Sequence, residues 1–566
     1  MAPLRSKQLS GDEVQRGFSP HRWWRRWWAR GVQALLVFAI LAAGMRYFED
    51  WRGARALRLE KEAMRLRGEP LALSALRLPP VPPQENFMES SVMREMWHDM
   101  PLDESTRWAK LTSLDASLMR ERLQNKRLKA EFLGYPNPEN IGQWRDGLEK
   151  AEMLVFAATT GNPAEDIYQA WDAISGSLFQ ELYAAARQRP HSRLEFTDGE
   201  LFGYGADSRA FGEKTIALQH LTRALNIRGR LALMTSRPEE AIQCLRVTRR
   251  MSEAYHSLPD YLGFIYYIFH LGNVVDLIDQ AAKDQAFTSA QWQEVIYEIP
   301  PLDIHASYLR AQRGEAIALN ARMQNLVENR QQAISEMLKV ARSFRQHIAA
   351  ILESTSDEAG ISWIDHFIRA GMTLIPSGWY HQNNATLLRW REEYLLRPLR
   401  GHALPHFAAH LPAYERMVYA EMKRFRYHPE KWLAMQVAPT DWSFAKRALE
   451  AYVLVEMART AAALEIFCQE NGSYPNSLAD LVPTHLPGLP IDLDGKPLRY
   501  RLSEKTGRPV IYSVGEDLTD NNGAVHERDL GTHRARYPKH RDGSDAVWSY
   551  DPPPEKKPRR SSLRSQ

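Results

Sequence analysis

The sequence predicts a mainly α-helical protein with three parts: a single N-terminal apolar helix, a long helical body, and a small C-terminal α+β module. Three observations support this fold class. The apolar segment at 31–48 is long enough to cross a bilayer. From 84 to 439, apolar residues recur at intervals of three and four, which is typical of helices. From 440, one long helical pattern is followed by two short alternating segments, which predict an antiparallel β-hairpin.

Composition narrows the classes to which the protein can belong. Of its 566 residues, 44% are hydrophobic and 25% are charged, which is close to the average of globular proteins and excludes collagen or a polytopic membrane protein. The 73 basic and 69 acidic residues leave a formal charge of +4, so we expect no nucleic-acid partner. The two cysteines, Cys244 and Cys468, are too few for a disulfide framework. We favour free thiols over a bridge between them.

The segment 31–48 is the strongest single feature, because basic and tryptophan-rich residues precede it at 21–30. Tryptophan is enriched at membrane interfaces, and arginine binds anionic headgroups. A cleaved signal peptide is the alternative, but the apolar run continues into Arg46 without a polar cleavage region. We therefore predict a cytoplasmic tail at 1–30 and an uncleaved transmembrane signal anchor at 31–48.

The charges around this anchor do not decide its orientation. Within twenty positions of its uninterrupted apolar stretch, 31–45, the basic residues are Arg16, Arg22, Arg25, Arg26 and Arg30 before it, and Arg46, Arg52, Arg55, Arg58, Lys61 and Arg65 after it. A short tail before a large C-terminal body favours an internal tail and an exported body. We therefore predict a single-pass protein of the inner (cytoplasmic) membrane, with its body outside the cytoplasm.

Between the anchor and the C-terminal module, the sequence predicts two regions. Residues 49–83 form a helical stalk followed by a proline-rich linker at 79–83, since consecutive prolines stop a helix and stiffen the chain. Residues 84–439 form the helical domain, which we expect to be irregular and solenoid-like. Within it, 225–255 predicts a helical hairpin, with Pro238 and two acidic residues at the start of the second helix.

The C-terminal module is predicted at 440–550. A helix at 441–470 ends at Asn471-Gly472, and Ser477 begins a capping box on a short helix. Two alternating segments around Tyr500 and Tyr512 form a hairpin. The last residues, 551–566, lack core-forming side chains, so we expect a disordered basic tail.

Several motifs of this module occur in an order that resembles the globular domain of the major pseudopilin of type II secretion. They are Asn471-Gly472-Ser473-Tyr474-Pro475, Leu481-Val482-Pro483, Pro490-Ile491-Asp492, Gly495-Lys496-Pro497-Leu498-Arg499-Tyr500 and Ile511-Tyr512-Ser513-Val514-Gly515-Glu516-Asp517. The resemblance implies a pilin-like fold, in which a helix packs on a small antiparallel sheet, and a calcium-binding loop. No prepilin peptidase site precedes the matching helix, unlike in that family.

The whole layout also resembles a broad group of bacterial membrane-anchored proteins to which no activity is assigned. The resemblance is carried by the N-terminal anchor, by Gly68-Glu69-Pro70 and by Pro83-Gln84-Glu85-Asn86. It implies an architecture and an envelope location rather than a reaction.

Calcium is the cofactor that the sequence suggests, in the loop that follows Tyr512. Its predicted ligands are Ser513, Asp517, Asp520 and Asn522, because calcium prefers six to eight hard oxygen ligands in a flexible loop. The alternative is a solvated turn in which the same side chains make local hydrogen bonds.

The sequence therefore favours a non-enzymatic, single-pass envelope protein that binds or scaffolds other envelope proteins, with a role in secretion or in the envelope. The alternative is an extracytoplasmic hydrolase with its site in the helical body. Ser443-Phe444-Ala445-Lys446 and Lys505-Thr506-Gly507 match the S-x-x-K and K-T-G motifs of penicillin-binding enzymes. No S-x-N element lies between the two motifs, so this support is weak.

Overall fold

A computed structural model describes residues 20–98, 135–150, 153–156, 159–197, 206–298, 304–335, 371–424, 428–524 and 545–550, with a few single residues between them. The protein is mainly helical and has a small antiparallel sheet near its C-terminus, which confirms the predicted class. The predicted disordered tail at 551–566 and the first 19 residues of the predicted cytoplasmic tail lie outside the described residues.

The named elements follow one another along the chain. The helices are α1 (Pro20–Leu66), α2 (Ser91–His98), α3 (Ile141–Lys150), α4 (Pro163–Gln188), α5 (Ala206–Met234), α6 (Pro238–His256), α7 (Tyr261–Lys283), α8 (Ser289–Glu298), α9 (Ile304–Glu328), α10 (Ser377–Arg391), α11 (Arg397–Gly401), α12 (Leu404–Phe407), α13 (Leu411–Arg424) and α14 (Trp432–Asn471). The strands are β1 (Arg499–Leu502), β2 (Pro509–Ser513) and β3 (Ala546–Ser549). A π-helical turn, Glu392–Leu396, joins α10 to α11.

Helix α1 has two environments along its 47 residues. The most apolar 18-residue segment of this helix is entirely exposed. The helix is long and apolar enough to cross a membrane. Helix α7 is also long and apolar enough to cross a membrane, but 61% of its most apolar segment is buried, as in the core helix of a folded domain. The N-terminal helix therefore agrees with the predicted anchor, and it already begins at Pro20, before the predicted span.

Beyond the span, α1 packs directly against α10. A Cβ atom added to Gly53 would lie 2.0 Å from the carbonyl oxygen of Gly378, and one added to Gly378 would lie 1.9 Å from that of Glu49. Glycine at both positions thus allows the two backbones to touch. The region predicted as a stalk is helical as far as Leu66, as expected, but it is part of the body rather than a free spacer.

The body is centred on helices α5, α6 and α7, which pack on one another, and α7 also packs on α14. The predicted hairpin at 225–255 is confirmed, and Pro238 occupies the first turn of α6. One continuous core joins Leu225 and Tyr255 of the body to Leu464 and Ile511 of the C-terminal region. The predicted boundary between 439 and 440 falls inside α14. The solenoid-like stacking of the body stays a prediction.

The C-terminal region contains the predicted hairpin and one strand that was not predicted. Strands β1 and β2 pair antiparallel, with Tyr500 opposite Ile511, and β3 adds to the other edge of β2. Gly472 ends α14 in a left-handed conformation with φ +75°, and the capping box at Ser477 is present. Helix α14 packs on β2, so a long helix lies against a small sheet. That this arrangement is a pilin-like fold stays a prediction.

A buried ion pair connects four helices in the middle of the protein. Arg391 of α10 donates two hydrogen bonds to Asp441 of α14, at 2.9 and 2.8 Å, and both side chains are fully buried. The hydroxyl group of Tyr261, the first residue of α7, lies 2.6 Å from Asp441 Oδ1 and 2.8 Å from the amide oxygen of Gln312 on α9. Burial alone would lower the pKa of Arg391, but the attraction of Asp441 outweighs it and raises that pKa.

We expect Arg391→Met to cost about 3–5 kcal/mol of stability, because it leaves the carboxylate of Asp441 buried without its partner. Removing both charges, in Arg391→Met combined with Asp441→Leu, should recover much of that loss. Urea unfolding of the detergent-solubilised protein, followed by circular dichroism, measures both effects. Arg65→Met is the control, because Arg65 and Glu62 form an exposed pair that should contribute less than about 1 kcal/mol. Equal losses for Arg391→Met and Arg65→Met would contradict the role given to the buried pair.

Candidate functional site

An apolar groove lies between α7 and α14 on the surface of the body. Its volume is about 280 Å³, just below the range of about 300–1,000 Å³ that is usual for small-molecule pockets. Helix α7 contributes Ile265, Ile268, Phe269, Leu271, Gly272 and Val275, and α14 contributes Arg447, Glu450, Ala451, Leu454 and Val455. Residues three and four apart on a helix share one face. The facing sides of the two helices therefore form the apolar groove.

The lining of this groove is mainly apolar. It is lined by aliphatic side chains and by Phe269, with Arg447 and Glu450 as its charged members. The guanidinium group of Arg223 on α5 lies 5.7 Å from the centre of the Phe269 ring, which helps to hold the ring in place.

The predicted calcium ligands lie in and after β2, and protein groups already engage oxygen atoms of Ser513, Asp517 and Asp520. The hydroxyl group of Ser513 donates to Asp492, and the side chain of Ser513 is fully buried. Asp517 accepts a hydrogen bond from the backbone amide of Thr519 at 3.0 Å. Asp520 accepts one from the amide of Asn522 at 2.8 Å. These are the local hydrogen bonds of the alternative interpretation, a polar turn.

Arg499 of β1 is the cation at the centre of this region. It lies 2.6 Å from Asp492, and its Nε atom is 3.4 Å from Asp520. Burial raises the pKa of Asp492, although Ser513, two backbone amides and Arg499 favour its ionised form. The structure therefore places a positive charge beside the acidic loop. No three side chains of His, Cys, Asp and Glu are grouped to hold a metal ion among the residues that the structure describes.

Sequence reasoning missed Asp545, which closes the same loop. Its buried carboxylate accepts hydrogen bonds from the backbone amides of Asn521, at 3.1 Å, and Gly523, at 2.7 Å. Asp545 stands 24 positions after Asn521, immediately before β3. An acidic residue directly before an alternating segment was the only available indication in the sequence.

Two groups with shifted pKa values inside the body, Cys244 and His270, are poorly suited to nucleophilic catalysis. Cys244 is free and fully buried, and burial raises the pKa of its thiol to about 12, whereas a reactive cysteine needs a low pKa. Cys468 is also free, as expected. His270 is buried beside Thr222, and burial lowers the pKa of its imidazole to about 3, so the ring is neutral. These groups belong to the packed interior of the helices.

The two motifs of the hydrolase alternative lie in ordinary structural settings. Lys446 pairs with Glu516 at 2.9 Å, and its ammonium group lies 3.9 Å from the centre of the Trp442 ring. Ser443 is exposed on the same helix. Lys505-Thr506-Gly507 lies in the turn between β1 and β2, where the hydroxyl group of Ser503 accepts hydrogen bonds from two of its amides.

Two motifs that carry the resemblance to membrane-anchored proteins have clear structural roles. Glu69, three residues after the end of α1, is buried and forms ion pairs with Arg313 of α9 and Arg400 of α11. These arginines outweigh the effect of burial, which raises the pKa of Glu69, and they lower that pKa. Asn86 is also buried, and its side chain exchanges two hydrogen bonds with the backbone of Arg193.

Comparison with known proteins finds no match: no protein-family model, no curated protein and no solved structure resembles the chain significantly. The pseudopilin resemblance therefore rests on the sequence motifs alone.

Calcium binding at Ser513, Asp517, Asp520 and Asn522 stays a prediction, and it has a direct consequence for stability. A ligand that binds only the folded state stabilises it by about 2.7 kcal/mol at a hundredfold excess over its Kd. The calcium hypothesis predicts that the detergent-solubilised protein melts several degrees higher with millimolar calcium than with a chelator. Asp517→Ala should abolish that difference.

The control for this measurement is Glu504→Ala, which removes an exposed acidic residue in the β1–β2 turn and should leave the calcium effect intact. Asp492 is unsuitable as a control, because its carboxylate is buried and holds the loop through Ser513 and Val514. Equal melting with calcium and with chelator would mean that Arg499 and the backbone amides alone neutralise the loop.

Proposed function

We propose that this protein is a single-pass, membrane-anchored envelope protein that binds other envelope proteins and performs no reaction of its own. The observation that carries the proposal is the continuity of α1, whose apolar half is exposed and whose second half is packed into the body. Such a helix holds a folded domain at a membrane. The domain held at the membrane includes the C-terminal region, which resembles a pseudopilin of type II secretion.

Protein binding is supported by the groove between α7 and α14. An apolar surface between two helices, with one cationic and one acidic residue among its lining, suits an amphipathic helix of a second protein. The location proposed is the inner membrane of a bacterium, with the body outside the cytoplasm and the tail at 1–30 inside. That location follows from the short tail, the large body and the resemblance to bacterial membrane-anchored proteins.

The membrane test is extraction of the full-length protein from membranes. We expect it to stay in the pellet through high salt and alkaline carbonate, because burial of the exposed apolar half of α1 outweighs any electrostatic contact. A variant that begins at Glu49 should move to the supernatant. Protease added to spheroplasts should digest the body. Carbonate release of the full-length protein would contradict the anchor, whereas protection from the protease would contradict the orientation alone.

The binding test fills the groove without disturbing the fold. Gly272 lines the groove, and a Cβ atom added there meets no other atom within 4 Å. We expect Gly272→Leu to abolish co-purification of the envelope partners that the wild-type protein retains after membrane solubilisation. Its melting temperature should be unchanged or higher, because leucine favours a helix over glycine.

The matched control is Gly142→Leu, which makes the same change at an exposed position of α3 with equally open surroundings. This variant should retain every partner that the wild-type protein retains. Identical partner sets for Gly272→Leu and wild type would show that the groove is not the binding surface.

A further inference from the structure

Helices α1 and α10 run parallel and nearly in register. Their paired residues, from Asp50 with Gly378 to Glu60 with Arg389, are separated by 328 to 333 positions in the sequence. Because the sequence separation between paired residues is nearly constant, the two helices run in the same direction. Residues just before α10 must therefore lie beside the part of α1 that directly precedes Glu49. That part is the C-terminal end of the proposed span.

A side-chain contact confirms this placement. The guanidinium group of Arg46 donates to the carbonyl oxygen of Leu374 at 3.3 Å, continuing the same separation of 328 positions. Arg46 stands two residues before Phe48, so Leu374 is level with a point roughly 3 Å inside the end of the span. The side chain of Leu374 is 74% exposed.

The carbonyl groups of the backbone at this point accept hydrogen bonds from protein side chains. Residues 371–374 are helical, and this helical segment ends at Leu374. The last carbonyl groups of a helix have no hydrogen-bond partner within the helix. Tyr380 donates to the carbonyl oxygen of Met372 at 3.0 Å, and Arg330 donates to those of Thr373 and Ile375 at 2.9 Å each. With Arg46 on Leu374, four consecutive carbonyl groups are paired. Lipid requires such pairing, because it offers no water to hydrogen-bond the backbone.

The surroundings of Leu374 have the composition of a membrane interface. Tyr47, Phe48 and Trp51 of α1 are 76%, 51% and 46% exposed. Exposed arginines continue along the helix at 52, 55 and 58. Aromatic rings beside cations suit the boundary between acyl chains and anionic headgroups.

We propose that residues 371–377 form a second membrane contact, in which Leu374 enters the interface of an anionic bilayer beside the anchor. This contact rests on the proposed membrane anchor. It sets the tilt of the body, because α10 is fixed at both the bilayer and the buried core. The occupant of the exposed surface at Leu374 is thus lipid rather than another protein.

The test places one fluorescent label at a time on the full-length protein, in a Cys468→Ser background that keeps the buried Cys244. The labelled positions are Leu374→Cys, Val37→Cys within the span and Leu59→Cys, all exposed in the structure. Position 59 lies eleven residues past Phe48, or about 16 Å, beyond a headgroup layer of about 5–8 Å. The protein is reconstituted in vesicles of phosphatidylcholine and phosphatidylglycerol that carry nitroxide-labelled lipids.

We expect nitroxides near the headgroups to quench the label at 374, deep nitroxides to quench the label at 37, and neither to quench the label at 59. Quenching at 37 with none at 374 would overturn the second contact and leave the anchor intact. A label at 374 that is shielded from water but not quenched would indicate a protein occupant and would also overturn it. Loss of quenching at 37 would overturn the anchor, and the second contact with it.

Discussion

The buried ion pair of Arg391 and Asp441 is the constraint on which the arrangement of the helices depends. Two opposite charges without access to water are tolerated only in good geometry, so the pair fixes α14 against the end of α10. Tyr261 and Gln312 extend the same network to α7 and α9. Since α10 begins at the contact between Gly53 and Gly378, one helix connects the proposed anchor to the core of the body.

Local patterns predicted much of the fold. The apolar run, the hairpin at 225–255, the long final helix and the two strands around Tyr500 and Tyr512 each depend on residues close in the sequence. Strand β3 and the packing of α1 on α10 depend on distant partners. Neither glycine of the close contact has any feature that would distinguish it from a glycine in a loop, because its partner lies more than three hundred positions away.

The same distinction applies to the candidate sites. A cluster of acidic residues after Tyr512 is visible in the sequence, but its neutralisation by Arg499 and the closing role of Asp545 appear only when three strands are assembled. The groove was not predicted at all. Helix α7 is apolar enough to be interpreted as a core helix, and its outer face becomes a groove only when α14 packs beside it.

The absence of a spacer between the proposed anchor and the body has a consequence for the proposed binding. Glu69, three residues after α1, binds the chain to α9 and α11 through ion pairs with Arg313 and Arg400. The proline-rich segment therefore follows the body's first contacts instead of separating the body from the bilayer. A groove on a body attached in this way faces a restricted range of directions. Binding there costs less orientational freedom for a partner that is itself embedded in the membrane than for a soluble one. In the proposed arrangement, the groove is therefore best matched to a partner that is embedded in the same bilayer.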